Sequence, residues 1–549
     1  MEFNLAQVHE SIAERFGERD CVVQGSRRTS WRDFTERTRR LANFLLSQGL
    51  GRLTERAGLE PWRSGQNHVA LYLYNGPEYL EGMYGAFKSR TVSLNINYRY
   101  VADELAYVLN DSRARAIIYH LEFAPRLASV IDRVAGLELL IAVDDGSGQA
   151  PVAGSVMYEE VLAGASARRP PVDWSADDLY MVYTGGTTGQ PKGVLWRQAD
   201  IFSAALGGRP RLESDHEYGG MDELLGRVNA QRYRLVTLPA PPLMHGAAQW
   251  SSMHTFNNAG TVVMQNDTTR LDAADIWRTV EREKAGRLLI IGDAFARPLL
   301  DELRLGHYDL SSLRMIVSGG VALSADLKAE LMERIDGLRI LDTIGSSESG
   351  NQGNLLSDRS GKASTGVFVP TADNLVLDRE MRRELAPGED HTGWFARSGR
   401  IPLGYLGDEE KTRRTFPEID GVRYSVPGDR ARLLPDGRIE LLGRESVTVN
   451  SGGEKIFVEE VEQALKEHPA VYDAVVTGRP SQRWGQEVVA VVQLTGGARA
   501  DEGSLRAACA ERLASFKLPK AFVFVDTVER SPAGKADYAW ARKMAEEAP

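Results

Sequence analysis

The sequence predicts an α/β fold, with a large N-terminal α/β body of several subdomains and a small α+β domain at the C-terminus. Three observations support this division. The chain has 549 residues, whereas a single hydrophobic core stops growing at about 250–300 residues. Short apolar runs alternate with helical patterns through most of the chain. The C-terminal part instead combines a hairpin signal with two amphipathic helical patterns.

The apolar runs of the N-terminal body predict buried strands. They lie at Val69–Tyr74, Ala116–Tyr119, Leu139–Val143, Leu288–Ile291 and Met315–Val317. Between them, Leu105, Val108 and Leu109 have the i, i+3, i+4 spacing of one helix face. Strands that alternate with helices in this way predict a largely parallel sheet.

Two polar segments interrupt this pattern. Residues 51–67 are rich in glycine and arginine, and residues 206–233 contain few apolar positions. Each segment is interpreted either as a disordered surface loop or as a lid over a ligand.

The pattern changes near residue 444. Pro435-Asp436-Gly437 lies between Arg432–Leu434 and Arg438–Leu442, which is a hairpin signal. The sequence then predicts a helix with Val458, Val461 and Leu465 on one face, strands at Ala474–Val476 and Val488–Leu494, a helix over Leu505–Leu513 and a strand at Phe522–Val525. We therefore expect a body at residues 1–443 and a C-terminal domain at 444–549.

Composition excludes several classes of function. The formal net charge of −10 disfavours nucleic-acid binding, which needs a basic surface. Two cysteines, Cys21 and Cys509, cannot form a disulfide framework or a zinc site, and Cys509 is expected to be a buried apolar residue. The sequence has no signal-peptide pattern and no apolar stretch long enough to span a membrane. We expect a soluble cytoplasmic enzyme that acts on small molecules; the oligomeric state stays open.

The strongest local motif is the glycine-rich segment Tyr183–Gly193, which follows a strand predicted at Leu179–Tyr183. Its glycines let backbone N–H groups converge on an anion, while its threonine hydroxyls and one ammonium add charge-assisted hydrogen bonds. The segment lacks the Walker A spacing. The candidate phosphate-binding residues are Thr184, Gly185, Gly186, Thr187, Thr188, Gly189 and Lys192.

This segment resembles the signature loop of the adenylate-forming superfamily, which includes acyl-CoA ligases, peptide-synthetase adenylation domains and firefly-type luciferases. Other segments resemble the family's motifs in the expected order. They are Asn95–Arg99, Pro241–Gly246, Ser318–Val321, Ile344–Glu348, Gly428-Asp429, Gly443-Arg444 through Glu462, and Ser531–Lys535.

The resemblance implies an ATP site. Its glycine loop holds the β- and γ-phosphates, Glu348 and Thr184 bind Mg²⁺, and Asp429 binds the ribose hydroxyls. Oxygen ligands suit Mg²⁺, and a carboxylate can accept two hydrogen bonds. From the residues alone, Glu348 is equally a solvated acid, Asp429 a turn residue and Arg444 a surface ion pair. The remaining ATP-binding candidates are Gly319, Gly320, Ile344, Gly345, Ser346, Ser347, Arg444 and Lys535.

The resemblance also implies an acyl-adenylate mechanism with Lys535, Glu348 and Thr184 as catalytic residues. Lys535 would neutralise the carboxylate and the α-phosphate. The small domain is then expected to be mobile and to rotate at Ser446 before transfer to CoA. The expected acyl pocket contains Met244, His245, Gly246 and Asp293, and the expected CoA channel contains Gly452, Gly453 and Glu454. His245 is interpreted as a wall residue, because the acid is already ionised.

Some positions depart from the family pattern. Ile344 replaces the usual adenine-stacking aromatic residue, and Ser446, Pro427 and Val458 are also unusual. With the 206–233 insertion, they resemble actinobacterial fatty-acid or steroid side-chain CoA ligases, which implies a bulky or lipid-like acid. The alternatives are a ligase that loads a carrier-protein phosphopantetheine, a luciferase-type oxygenase and a non-catalytic adenylate-binding protein.

Overall fold

The computed structural model describes residues 2–184, 190–209, 216–231, 233–361, 365–371, 373–389, 391–444, 447–451, 454–481, 485–531 and 534–548. The helices are α1 Leu5–Phe16, α2 Trp31–Ser47, α3 Pro77–Lys88, α4 Ala102–Asp111, α5 Ala124–Ala128, α6 Tyr158–Gly164, α7 Gln198–Ala205, α8 Met221–Ala230, α9 Gly246–Phe256, α10 Ala273–Glu283, α11 Gly292–Leu305, α12 Ala325–Arg334, α13 Glu409–Thr415, α14 Val458–Lys466, α15 Glu502–Ala510 and α16 Tyr538–Glu547.

The strands of the first half are β1 Asp20–Gln24, β2 Arg27–Ser30, β3 His68–Tyr72, β4 Val92–Asn95, β5 Ala114–His120, β6 Leu139–Val143, β7 Val156–Met157, β8 Leu179–Thr184, β9 Lys192–Arg197, β10 Val236–Pro239 and β11 Thr261–Met264. Those of the second half are β12 Arg287–Ile290, β13 Met315–Gly319, β14 Arg339–Ser346, β15 Gly350–Ser357, β16 Val367–Pro370, β17 Asn374–Leu377, β18 Thr392–Arg397, β19 Gly404–Tyr405, β20 Glu418–Ile419, β21 Val422–Arg423, β22 Asp429–Leu433, β23 Ile439–Arg444, β24 Val449–Ser451, β25 Glu454–Ile456, β26 Val471–Ser481, β27 Gly485–Leu494 and β28 Ala521–Val525.

A long mixed sheet organises the body. Its strand order is β17-β18-β22-β23-β16-β15-β14-β13-β12-β10-β11-β1-β2, and the run from β14 to β1 is parallel. Apolar residues cover both faces of this run, as is usual for parallel strands. Leu289, Val317 and Leu341 pack on the α9 side, while Leu288 and Ile316 pack on the other side.

Three smaller sheets complete the described part of the body, one of them the two-stranded pair of β20 and β21, and a further sheet forms the C-terminal domain. Strands β4-β3-β5-β6-β7 form a parallel sheet, and β19-β9-β8 form an antiparallel one. In the C-terminal domain, β25-β24-β27-β26 form an antiparallel sheet, and β28 pairs with β27 in parallel. The expected α/β body and small α+β domain are both present.

Polar side chains fix where several helices begin. Asn4 Oδ1 accepts hydrogen bonds from the backbone N–H groups of Ala6 and Gln7 at the start of α1. Asp408 Oδ1 accepts one from the Lys411 N–H at the start of α13. Such caps satisfy N–H groups that have no partner within the helix.

The predicted strands and helices are confirmed, with corrections to their ends. Strand β3 ends at Tyr72, two residues before the predicted end at Tyr74. Strand β12 ends at Ile290, because Ile291 is already the N-cap of α11. Strand β14 runs from Arg339 to Ser346 and pairs with β15 from Ile340 to its end. Cys509 is buried, as expected.

The segment 206–233 contains a helix in its described part, so disorder is the wrong interpretation for α8. Leu224 and Val228 of this helix are buried in the same core cluster as Phe256 of α9. The Leu206 carbonyl oxygen accepts a hydrogen bond from Asn257 Nδ2 at 2.8 Å. Segment 51–67 is anchored differently, by a bridge between Arg52 and Gln66. Within the described ranges, no helix is long and apolar enough to cross a bilayer.

Candidate functional site

The carboxyl ends of the parallel strands bring the predicted motifs together at one sheet edge. Ala240 follows β10, Ile291 follows β12, β13 ends at Gly319, and β14 runs through Ile344 to Ser346. Gly319 lies opposite Thr343 in the register of β13 and β14. This edge is the usual ligand-binding edge of open α/β sheets.

The glycine-rich segment connects the two strands of a hairpin. Thr184 at the end of β8 pairs with Lys192 at the start of β9, and Gly185, Gly186, Thr187, Thr188 and Gly189 lie outside the described residues. Lys192 Nζ is 3.2 Å from Asp111 Oδ1 and 3.8 Å from Asp408 Oδ2. Burial lowers the pKa of Lys192, but Asp111 and Tyr107 outweigh it and raise that pKa overall. Lys192 is therefore held as a cation beside the loop.

Glu348 is held on three sides by the body. The Tyr405 hydroxyl donates to Glu348 Oε1 at 2.9 Å, and Ser425 Oγ donates to the Glu348 carbonyl oxygen at 2.6 Å. Trp196 Nε1 donates to the preceding carbonyl oxygen, that of Ser347, at 2.8 Å. Tyr405 belongs to β19, which pairs with β9, so these contacts join Glu348 to the hairpin of Lys192. Lys411 Nζ lies 4.2 Å from the centre of the Tyr405 ring.

The turn before Glu348 is equally constrained. Ser346 Oγ lies 2.8 Å from Ser349 Oγ, and the Ser346 N–H donates to the same oxygen at 3.2 Å. The buried Arg397 donates to the Ser349 carbonyl oxygen at 2.7 Å. A Cβ at Gly345 would overlap the carbonyl oxygen of Gly350, so this position requires glycine.

The residues expected around adenine and ribose lie on adjoining parts of the main sheet. Ile344 is half-buried and packs against the apolar cluster that contains Phe395 and Ile439. Gly320 has φ +83°, the left-handed region that favours glycine. Asp429 begins β22 and lies opposite Arg444 of β23. For Arg444 only the backbone is described.

The expected acyl segment is tied to the glycine-loop hairpin through Asn95. Asn95 Nδ2 donates to the carbonyl oxygens of Tyr183 at 2.9 Å and Met244 at 2.7 Å, and Asn95 Oδ1 accepts from the Tyr183 N–H at 2.8 Å. His245 is the N-cap of α9, which begins at Gly246. Its Nε2 is buried and has no hydrogen-bond partner among the described residues.

The carboxylate of Asp293 contacts the loop that follows β13. It lies in the first turn of α11, is buried, and accepts hydrogen bonds from the Ser324 N–H at 2.8 Å and from Ser324 Oγ at 2.5 Å. The carboxylate thus joins the start of α11 to the loop after β13. Its expected place in the acyl pocket stays a prediction.

The loop of Lys535 lies against the start of α11. A Cβ on Gly534 would be 3.2 Å from Ile291 Cγ2 and 3.4 Å from Ala294 Cβ, and Gly534 has φ +69°. Burial, followed by the charges of Lys535 and Arg99, lowers the pKa of His245 to about 3. The loop that carries Lys535 is therefore close to the acyl segment.

Other predicted residues cannot be placed. The expected hinge residue Ser446 and the expected channel residues Gly452 and Gly453 lie outside the described part of the chain, and Glu454 is described by its backbone alone. Their expected roles stay predictions.

A cavity of about 580 Å³ opens in the N-terminal part of the body. Its lining includes the cations Arg99 and Arg126 and the rings of Tyr74, Tyr98 and Phe123. Arg126 donates to the Tyr98 carbonyl oxygen at 2.6 Å. Because Arg99 also acts on His245, this cavity lies near the acyl segment.

Sequence reasoning missed the residues that hold the charged groups in place. Tyr405 and Lys411 lie beside Glu348, while Asp111 and Asp408 lie beside Lys192. The sequence 407–411 does carry a local signal, because Asp408 before Glu409-Glu410 is a typical helix start. Asp111 carries no such signal, since it ends an ordinary amphipathic helix.

With this geometry established, comparison with known proteins is decisive. The family model described as AMP-binding enzyme matches residues 9–395, more than half of the chain. The chain belongs to the AMP-binding enzyme family. The model described as AMP-binding enzyme C-terminal domain matches residues 460–535.

Curated relatives of this family member cover almost its whole length. The chain is 49% identical over 544 residues to "Medium-chain acyl-CoA ligase Mig" of Mycobacterium avium, covering 99% of this chain and 98% of that protein. It is 37% identical over 549 residues to "3-oxocholest-4-en-26-oate--CoA ligase" of Rhodococcus rhodochrous, covering 99% and 96%. The expectation of an ATP-dependent, AMP-forming acyl-CoA ligase is thereby confirmed.

Solved structures agree on the fold. A crystal structure of the anthranilate CoA ligase AuaEII in complex with anthranoyl-AMP superposes with a TM-score of 0.82 at 23% identity, covering 99% of this chain and 98% of that one. ATP-bound MatB from Rhodopseudomonas palustris gives 0.80 at 22% identity, covering 100% and 99%. At these identities the likeness establishes the fold alone.

Proposed function

We propose that this AMP-binding family ligase activates medium-chain or bulkier lipid-like carboxylic acids in two steps, first forming an acyl-adenylate and then an acyl-CoA. The observation that supports the proposal is the close approach of Gly534 to Ile291 and Ala294. The Lys535 loop is then near His245, a residue of the expected acyl segment. The names of the 49% and 37% identical relatives support the choice of acid.

A magnesium ion shared with ATP would be held by residues of the body. In the described part of the chain, no three His, Cys, Asp or Glu side chains form a group that could hold a metal. Mg²⁺ commonly binds one or two carboxylates together with substrate phosphates, so the single carboxylate of Glu348 with the Thr184 hydroxyl is a suitable partial set. When bound there, the ion would neutralise charge on the phosphates. Lys192 would add a second positive charge beside the glycine loop.

Lys535 would act in the first step. The carboxylate oxygen of the acid attacks the α-phosphorus, and the bond from that phosphorus to pyrophosphate breaks. The protein contributes mainly position and charge, as in related phosphorus-centred displacements. The ammonium of Lys535 would lie between the two anions and offset their repulsion. His245 would remain neutral and form part of the wall, consistent with its lowered pKa.

Beyond His245, the apolar part of the acid would lie along helix α9. Trp250 of α9 and Met315 of β13 are only partly buried, and both pack against the core cluster that contains Leu289 and Val317. Farther along α9, His254 Nδ1 lies 3.3 Å from the Arg287 guanidinium. Nine residues of helix separate His245 from His254, or about 13 Å. This surface suits an acid with a long apolar part.

The cavity lined by Arg99 and Arg126 would admit CoA for the second step. Two guanidinium groups suit phosphates, and the aromatic rings suit a stacked base. The thiol sulfur would attack the acyl carbonyl carbon and lose its proton to solvent, and the bond from that carbon to the AMP phosphate oxygen would break, so that AMP leaves with the bonding electrons. Rotation at Ser446 would first withdraw Lys535 and bring Gly452, Gly453 and Glu454 to the channel.

A panel of acids tests the proposal. The purified ligase is incubated with ATP, Mg²⁺ and either CoA or a phosphopantetheinylated carrier protein, using C6 to C16 fatty acids, benzoate and a C27 steroid acid. We expect release of pyrophosphate and formation of the CoA thioester, with the highest kcat/KM for a fatty or steroid acid. A preference for benzoate would overturn the choice of acid, and loading of the carrier protein alone would overturn transfer to CoA.

A further inference from the structure

Helix α11 contacts the C-terminal domain at two levels along one face. Its first turn packs on Gly534, as described above. Three residues beyond Ala294, the guanidinium carbon of Arg297 lies 5.3 Å from the centre of the Tyr472 ring on β26. Positions three apart lie on the same side of a helix, so both contacts belong to one surface of α11.

Arg297 is an unusual side chain for a surface ion pair. It is only 13% exposed, and its Nε and Nη2 are buried without a hydrogen-bond partner in the described part of the protein. Arg297 Nη2 lies 3.9 Å from Asp293 Oδ2. Arg297 is therefore a buried cation with few hydrogen bonds. Its attraction to the Tyr472 ring should be strong, because a cation–π interaction strengthens when water is excluded.

Tyr472 is rigidly linked to the lysine loop. The next residue, Asp473, accepts hydrogen bonds from Arg530 Nε at 2.6 Å and Arg530 Nη2 at 2.7 Å. Arg530 Nη1 in turn donates to the Gly534 carbonyl oxygen at 3.1 Å. Tyr472 is thus connected to the loop that carries Lys535 through Asp473 and Arg530.

We propose that Arg297 is a positioning residue for acyl-adenylate formation, because its contact with Tyr472 holds the C-terminal domain where Lys535 faces the site. The inference rests on the proposed function, in which Lys535 serves the first step and is withdrawn before the second. The contact must then break before CoA transfer. Arg297 thus favours one of two domain orientations without touching a substrate.

Half-reactions measured separately test this role. Acyl-adenylate formation is followed by pyrophosphate release in a single turnover, and thioester formation is followed from purified acyl-adenylate and CoA. We expect R297M and Y472L each to slow the first step about tenfold, with the KM for ATP unchanged. The second step should proceed at the wild-type rate or faster. R297K and Y472F, which retain charge and ring, should stay within about twofold of wild type.

A double variant and a matched control make the test specific. R297M/Y472L should be no slower than either single variant, because both remove the same interaction. R506M removes a cation–π contact of similar geometry inside the C-terminal domain, where Arg506 lies 5.2 Å from the Phe522 ring. It should leave the ratio of the two half-reactions unchanged.

Defined outcomes would overturn the inference. Equal slowing of both half-reactions, additive effects in the double variant, or a wild-type first step in R297M would each do so. If Y472L does not fold, R297M against R297K carries the same test. K535A separates this inference from the proposed function. Loss of adenylation in K535A with a wild-type rate in R297M would refute only the role of Arg297, whereas normal adenylation in K535A would refute the role of Lys535.

Discussion

The charged groups of the body and the lysine loop of the C-terminal domain are held in very different ways. Glu348 receives a hydrogen bond from Tyr405 and its backbone one from Ser425, and Lys192 pairs with Asp111, all within the body. The lysine loop touches the body at Gly534, and Tyr472 touches it at Arg297. Preorganised groups need little rearrangement when ATP binds, whereas a thin contact can open between two steps. We therefore expect the groups around Glu348 and Lys192 to stay in place while the loop of Lys535 separates from the body between the two proposed steps.

Loss of the Lys535 side chain should give the largest decrease in the rate of acyl-adenylate formation. It tests whether the lysine loop takes part in this reaction. K535A removes the charge that we propose offsets repulsion between the acid and the α-phosphate. We expect acyl-adenylate formation to slow by about 10²–10³-fold, as for removal of other charge-stabilising groups. ATP binding, measured by calorimetry, should stay near wild type. K543A in α16 is the control, and adenylation at more than a tenth of the wild-type rate in K535A would contradict the assignment.

Changing Glu348 tests the fixed side of the comparison. E348Q keeps the shape but removes the charge, so we expect adenylation to slow by about 10–100-fold and the Mg²⁺ concentration for half-maximal rate to rise. Y405F removes the hydrogen bond to Glu348 but keeps the carboxylate charge, so it should slow the reaction less than E348Q, by no more than about tenfold. Titration of the initial rate with Mg²⁺ distinguishes these effects. An unchanged Mg²⁺ dependence in E348Q would exclude Glu348 as a ligand.

Restricting the backbone at the expected hinge residue Ser446 should slow thioester formation much more than adenylation. Proline at position 446 restricts the backbone, and S446P should slow thioester formation about tenfold while changing adenylation less than about threefold. The two half-reactions are measured as above, with S446A as the control for loss of the hydroxyl. Equal slowing of both steps would argue against rotation at this residue.

The smallest expected effect concerns pH and His245, where the two regions meet. Its pKa of about 3 in the folded protein lies below the ordinary value of 6.5, so the unfolded chain binds a proton that the folded chain does not. The stability it contributes is fully present above pH 6.5 and is lost as the pH falls toward 3. H245F should therefore reduce the acid destabilisation between pH 7 and 5 by about 1–2 kcal/mol, measured by urea unfolding. An identical pH dependence in both proteins would contradict the lowered pKa.

The sequence by itself determined the local elements and the order of the motifs. Short apolar runs between helical patterns predicted β5, β6 and β13, because a buried strand needs a local run of apolar residues. The turn Pro435-Asp436-Gly437 gave the hairpin of β22 and β23 for a similarly local reason. The glycine-rich segment could be named as a candidate from its residue types and spacing, whereas Glu348 and Lys535 could be named only because their motifs resemble those of the adenylate-forming superfamily.

Tertiary structure alone decided which side chains hold those candidates in place. Asn95 joins Tyr183 to Met244, Tyr405 supports Glu348, and Arg297 meets Tyr472 across the two domains. Each contact joins residues far apart in the chain, so no local period or motif encodes it. Helix α8 was not predicted for a related reason. It has few apolar residues, and these stabilise the helix only because they are buried against residues that are remote in the sequence. Propensity is a weak prior, and burial against remote elements overrides it.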